Sequence, residues 1–385
     1  MEKVYVLGVG QTMFGKQPQF SARDLAIDAI LRAVRDAGIG LRDLQMAYAG
    51  NYADPISTTP CQDIFSRLGV SRIPMYNVLN ACATGISELD LLYSNIALGR
   101  CEVGIAVGTD SMTTSASLPK GKLLAPTDLI GQLGWSVSSC LAMVANRFIA
   151  EQGATIEDIC YPAVKNHRNA CGNEYAMFRR EVSVEEIMAS PMISYPITVK
   201  QCCPFTDGAA AVILCSEKFA RKHTTRMIEV RGSVLLSGEF ISVEKDILHQ
   251  SILTEACEKL QEQTGIGMDE VQCVESHDAF SPEELQTYES MLLCKRGEGI
   301  ARMREGWFDI GGRCAVNASG GLEALGHPIA ASGVRVVAEV ALQLRGEAKG
   351  HQVENARVGV AQMVGGTLTS LGAPVASGLQ MLVRQ

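Results

Sequence analysis

The sequence predicts a duplicated α/β fold, two sheets each covered by helices, with a lid-like region inserted between the halves. Three observations predict it. Hydrophobic periodicity alternates between strand-like and helix-like runs; the same order of elements occurs twice, with matching letters at the junctions; and 385 residues, 47% apolar and 20% charged, can bury a large core. Val4 to Gly10 reads as a buried strand. Its glycines invite a dinucleotide-fingerprint reading that fails, because position 13 is Met and no glycine-rich turn opens directly into a helix. A helix follows with Ala26, Ile30, Ala33, Val34 and Ala37 on one face, ended by Gly38 and Gly40, and then a strand over Met46–Gly50. The second copy runs through a strand at Met227–Val230, a helix bearing Ile252, Ala256 and Leu260, and a strand at Val271–Val274. Gly38–Gln45 lies against Gly265–Gln272, Asn80-Ala81-Cys82 against Asn317-Ala318-Ser319, and Val103–Gly108 against Val358–Ala361. Spacing drifts between matches, so loops differ between the halves. Boundaries follow: 1–111 with 197–222 form the first half, 112–196 the turn-rich insertion, and 223–385 the second half.

Composition excludes several classes. With 34 basic and 42 acidic residues the net charge is −8, against a nucleic-acid binder; a small anionic ligand would need a local basic patch. No run approaches about 18 apolar residues, and no signal-peptide pattern opens the chain, which predicts a soluble, cytoplasmic protein. The 13 cysteines form no CxxC pairs, which predicts reduced, mostly buried thiols and no metal site. Cys202-Cys203 stands before Pro204 without further ligands at zinc spacing, and Cys140, Cys160, Cys215, Cys257, Cys273, Cys294 and Cys314 read as core.

Cys82 differs from these in its setting. It precedes a helix over Ile86–Leu98 among small neighbours, and a helix N-terminus favours a thiolate and an oxyanion alike. His327, in Gly326-His327-Pro328 at the counterpart junction of the second half, can take the thiol proton if the duplicated fold brings the junctions together. His277 follows the Val271–Val274 strand, where such sheets place catalytic groups. Lys165, His167, Arg168, Arg179 and Arg180 form a basic stretch, a solvated face or an anchor for phosphates, and Lys120-Gly121-Lys122 marks the insertion. Asp110 reads as a turn or cap residue at a strand end.

Over nearly its whole length the sequence resembles the thiolase superfamily. The resemblance rests on Asn80–Gly85, Asn169–Asn173, Asp207–Ala211, His277–Phe280, Asn317–Gly321 and Gly326–Pro328 in that order. The HDxF form and Gln362–Gly366 look nearest to the sterol-carrier-protein and archaeal types, a group that includes benzoylsuccinyl-CoA thiolase subunits. It implies a five-layered α/β/α/β/α core and an inserted loop domain that binds coenzyme A, a cosubstrate and no resident cofactor. It also implies that Cys82 is acylated, His327 activates it, His277 and His327 hold the thioester oxygen, and the backbone N–H groups of Cys82 and Gly365 stabilise the tetrahedral intermediate. The basic stretch becomes the candidate coenzyme A anchor. A homodimer, possibly enlarged by a small zinc-ribbon/OB-fold subunit, is the implied assembly.

One departure matters. Many thiolases carry a second Cys that moves the α-carbon proton, and the corresponding places here hold Ala279 and Met363. The expectation is therefore an acyltransferase that cleaves a 3-oxoacyl-CoA with a bulky, branched or aromatic side chain. The alternatives are a thiolase-fold carbon–carbon lyase working by retro-aldol cleavage and a non-catalytic scaffold or lipid-binding subunit.

Overall fold

A computed structural model describes residues 2–53, 56–115, 136–238, 246–367 and 374–385. Lys120-Gly121-Lys122 lies outside the described residues. The first half contains strands β1 (Val4–Gln11), β2 (Ala47–Gly50), β3 (Met75–Asn77), β4 (Val103–Ser111) and β5 (Asp207–Ser216). The second contains β6 (Ile228–Ser237), β7 (Cys273–Glu275), β8 (Ala315–Val316), β9 (Val358–Thr367) and β10 (Pro374–Arg384). Their spatial orders are β3-β2-β4-β5-β1 and β8-β7-β9-β10-β6, the same permutation twice. Parallel and antiparallel pairs also fall at the same places, so duplication is visible in topology as well as in letters.

The two sheets are not separate. β1 and β6 pair antiparallel through Val4–Val230, Tyr5–Glu229 and Val6–Ile228, giving one ten-stranded sheet. The pairing covers an edge that each half would otherwise leave open. Strand alternation explains the layers. In β5, Ala210, Val212 and Leu214 face a central core while Ala209, Ala211, Ile213 and Cys215 face an outer one. The central core receives α3 (Thr84–Ala97) and α12 (Ile329–Arg345), which touch each other and strands of both halves. α1 (Ala22–Ala37) and α2 (Pro60–Arg67) cover the outer face of the first half, and α8 (Ser251–Thr264) that of the second. The glycines of β1 serve this packing: a Cβ on Gly8 would lie 2.4 Å from Ala33 O of α1.

Between β4 and β5 run α4 (Val137–Gln152), α5 (Ile156–Ala170), α6 (Val184–Met188) and a hairpin pairing Met192–Ser194 with Ile197–Thr198. After β5 comes α7 (Glu217–His223). α5 packs on α9 (Ser281–Ser290) and α11 (Gly321–Leu325), laying the segment over the second half; α10 (Gly299–Arg304) lies beside α9. No described helix is long and apolar enough to cross a membrane.

Candidate active site

The site forms where α3 and α12 begin. A Cβ on Gly85 would lie 2.4 Å from Val334 N, and one on Gly333 would lie 2.7 Å from Ile86 N. Only glycine permits this approach, which carries the loop before α12 to the loop before α3. The Cys82 turn is held by Thr84, whose hydroxyl accepts from Asn80 N at 2.8 Å and donates to Ala81 O at 2.7 Å. Ala81 is left-handed, with φ 48°, an uncommon conformation for a residue with a Cβ.

His327 Nε2 lies 3.2 Å from Cys82 Sγ. Its Nδ1 lies 2.8 Å from Ser332 Oγ, and that hydroxyl donates to Pro328 O at 2.9 Å. Ser332 therefore accepts from Nδ1–H, leaving Nε2 as the lone pair that faces the thiol. Burial, then the neighbouring His277 and the more distant Arg335, push the His327 pKa well below the usual histidine value. This imidazole is a neutral base.

His277 has the opposite setting. Its Nδ1 lies 2.8 Å from Glu283 Oε1, and its backbone N–H donates to Gln362 Oε1 at 3.0 Å. Burial opposes its charge, but Glu283 and Cys82 together outweigh burial and raise its pKa well above the usual value. The His277 and His327 rings meet edge-on at 5.5 Å, and Cys82 with a ring nitrogen from each imidazole lies within 4.8 Å. Two imidazoles with pKa values pushed apart around one thiol are chemically able to serve as an acid and a base. Gly365 backs directly onto the Cys82 turn, where a Cβ would lie 2.5 Å from Asn80 O.

These groups face a cavity of about 160 Å³ that Tyr52, Leu141, Cys203, Ala279 and Phe280 also line. Val137, Cys203, Phe205 and Phe280 join it to a cleft of about 570 Å³. That cleft carries His167, stacked on Phe178, together with Arg180 and Lys200. The basic stretch thus divides. His167 and Arg180 reach the cleft, whereas Arg168 pairs with Asp309 and Arg179 does not line it. Lys165 is wholly buried, with its ammonium 3.0 Å from Glu284 and donating to Asn166 Oδ1 and Val316 O. A phosphate cannot reach it, so its expected place among the coenzyme A anchors is corrected to a structural one.

Lys200, Glu283 and Ser332 were not singled out from the sequence, and Gln362 stood there only as the first letter of the Gln362–Gly366 motif. Glu283 had one available signal, its position six residues beyond His277 in a first helical turn. Asp110 is a cap that joins the halves: Oδ1 accepts from Tyr52 N and Ala53 N, and Oδ2 from Ala330 N at 2.6 Å. Cys171 is exposed, unlike most other thiols, and Met363 is buried in the central core.

The Thiolase N-terminal domain family matches residues 4–218, and the Thiolase C-terminal domain-like family matches residues 234–377. The chain is 37% identical over 368 residues to the benzoylsuccinyl-CoA thiolase subunit BbsB of Thauera aromatica, covering 94% of this chain and 95% of that one. It is 35% identical over 374 residues to an acetyl-CoA acetyltransferase of Methanothermobacter thermautotrophicus, covering 95% and 97%. Human sterol carrier protein 2 is 33% identical over 402 residues, covering 98% of this chain and 73% of that protein. Among solved structures, an Ltp2–ChsH2(DUF35) aldolase superposes with a TM-score of 0.84 at 22% identity, covering 99% and 98%. Human mitochondrial 3-ketoacyl-CoA thiolase superposes with a TM-score of 0.75 at 17% identity, covering 100% and 99%, and shares the fold. With both family domains matched across most of its length, this chain belongs to the thiolase family.

Proposed function

We propose that the protein is a thiolase that cleaves a 3-oxoacyl-CoA with coenzyme A through an acyl-Cys82 intermediate. The observation that carries this reading is the 3.2 Å contact between Cys82 Sγ and the lone pair of a neutral His327. His327 takes the thiol proton, and sulfur attacks the 3-oxo carbon. The N–H groups of Cys82 and Gly365 are the proposed donors to the resulting alkoxide. Its collapse breaks the bond between C2 and C3, and the expelled enolate forms beside His277. A lyase or a non-catalytic scaffold needs no activated thiol, so this contact favours neither.

The cleft is the proposed coenzyme A channel, with His167, Arg180 and Lys200 as its cationic or polar contacts and the 160 Å³ cavity as the acyl end. The preferred substrate is bulky or aromatic at the acyl side. Ala279 and Phe280 line the cavity, placing a small residue and an aromatic face where a thiol would otherwise stand. Similarity to a benzoylsuccinyl-CoA thiolase subunit supports the same choice and also an assembly with a second kind of subunit. The DUF35 chain named in the aldolase structure supports the choice of an accessory subunit as that partner, and the assembly proposed is a homodimer joined by a small zinc-ribbon/OB-fold chain.

Steady-state assays with acetoacetyl-CoA beside substituted and aromatic 3-oxoacyl-CoAs test the substrate. Thiolysis is expected to favour the larger substrates. Best activity with acetoacetyl-CoA, with efficient condensation of acetyl-CoA, would reverse that assignment.

A further inference from the structure

We infer that Glu283 and His277 form a carboxylate–imidazole dyad that moves the α-carbon proton, replacing the second thiol that Ala279 and Met363 do not supply. This rests on the thiolase reading above. Both oxygens of Glu283 are committed as acceptors, Oε1 to His277 Nδ1 at 2.8 Å and Oε2 to Ala279 N at 3.1 Å. Nδ1 must therefore carry a proton, and the carboxylate fixes both ring orientation and charge. The remaining nitrogen, Nε2, is buried in the cavity wall beside Cys82 and has no partner at hydrogen-bond distance among the described residues. A buried donor in that state needs a ligand atom to complete it. The clamp also passes through the backbone of Ala279 itself, so the dyad occupies the segment from which the thiol is missing.

The proton cycle closes on these groups. When C2–C3 breaks, its electron pair goes to the enolate, and C2 takes the Nε2 proton of the His277 imidazolium. His277 is left neutral with Nδ1–H still on Glu283. Incoming coenzyme A thiol returns a proton to Nε2, its sulfur attacks the acyl carbonyl, and Cys82 leaves as a thiolate that recovers its proton from His327. His277 is the catalytic residue in this step, and Glu283 is a positioning residue acting through it. The titratable groups that share this cavity with His277 are Glu283 from α9, Cys82 before α3, His327 before α12, Cys203 before β5 and Tyr52 after β2.

The test compares Glu283→Gln, Glu283→Asp and Cys203→Ala with the parent protein, using a thiolysed 3-oxoacyl-CoA and, separately, Cys82 acylation by a simple acyl-CoA. Glu283→Gln is expected to lower thiolysis kcat about 100-fold or more, while acylation, which breaks no carbon–carbon bond, changes less than about tenfold. The alkaline limb of the kcat–pH profile should move to lower pH in Glu283→Gln, because the carboxylate no longer holds the imidazolium proton, and return toward its place in Glu283→Asp. Cys203→Ala should keep that limb. An unmoved limb with kcat within about threefold in Glu283→Gln overturns the dyad, as does loss of the limb in Cys203→Ala alone. Failure of the parent protein to acylate Cys82 would instead overturn the thiolase reading.

Discussion

The two turn-to-helix junctions are copies of one motif put to opposite uses. In the first half, Cys82 is partly exposed to a cavity and faces His327. Its counterpart Ser319 is fully buried: the hydroxyl donates to Glu275 Oε2 at 2.5 Å and accepts from Arg335 Nη1 at 2.8 Å. Each turn contains a left-handed residue, Ala81 at φ 48° and Asn317 at φ 55°. Asn317 has a side chain that secures its turn, accepting from Ser276 N and donating to Glu284. Ala81 has none, and Thr84 does that work from outside. The paths into the long helices differ as well. α3 starts directly after Cys82, whereas the second half inserts the five-residue α11 and then Gly326 and His327 before α12. That detour carries His327 across to the first junction. The two similar turns have different surroundings: one sets a thiol against an imidazole at a cavity, and the other buries its hydroxyl as a fastening.

Exchanging the two roles gives the largest expected effect. Cys82→Ala should lower turnover on the order of 10⁴-fold or more while the protein still folds. Ser319→Ala should retain acylation and lose about 1–3 kcal/mol of stability, because Glu275 and Arg335 lose a buried partner. Paired kcat and denaturation measurements check both; a catalytic loss in Ser319→Ala equal to that in Cys82→Ala would dissolve the distinction.

The fastening under the second junction is Lys165, which donates to Val316 O just before Asn317. Lys165→Met should cost about 3–5 kcal/mol, since Glu284 would remain buried beside Asp278 and Glu323 without its ammonium. Denaturant unfolding reads this directly. A rise in the KM for coenzyme A with unchanged stability would return Lys165 to the anchor role.

Asp110 joins the junctions, and Asp110→Ala should remove about 3 kcal/mol by leaving the N–H groups of Tyr52, Ala53 and Ala330 without their carboxylate. Burial raises its pKa from 3.8 to about 6, against the lowering effect of its N–H partners. The native state therefore binds the proton more tightly than the unfolded state. Its contribution falls as pH rises from about 4 to 6 and is flat above, and the variant should lack that slope. Thermal unfolding across this range checks the sign.

The smallest effect belongs to the cleft. Arg180→Ala and Lys200→Ala should each raise the KM for coenzyme A several-fold and change stability by less than about 1 kcal/mol, because exposed ion pairs contribute little. Initial-rate kinetics with varied coenzyme A check this, and unchanged KM values in both variants would move the channel elsewhere.

Much of this was legible in the sequence. Continuous apolar runs marked β1 and β4, helical spacing marked α1 and α8, and repeated junction letters marked the duplication. Cys82 stood out because a small-residue turn before a helix is a local pattern. The seam between β1 and β6 was not legible, because edge pairing between halves leaves no mark on either strand. Neighbours on α5 part company for the same reason: Lys165 points to Glu284, Arg168 to Asp309 and His167 into the cleft, and only the packing of α9 and α11 decides which. Charge alone could not separate a buried lysine from an accessible arginine. Glu283 was hidden because its meaning depends on the bend that returns α9 onto His277.

The most direct test of the central claim is the mass of the intact protein after incubation with an acyl-CoA, followed by peptide mapping. Burial pushes Cys61, Cys215 and Cys314 up to about 12, leaving exposed Cys171 as the principal competitor for reagents. One acyl group on the Cys82 peptide, absent from Cys82→Ala and discharged by added coenzyme A, is the expected result. No adduct with any acyl-CoA, or an adduct that persists in Cys82→Ala, would contradict the acyl-cysteine mechanism.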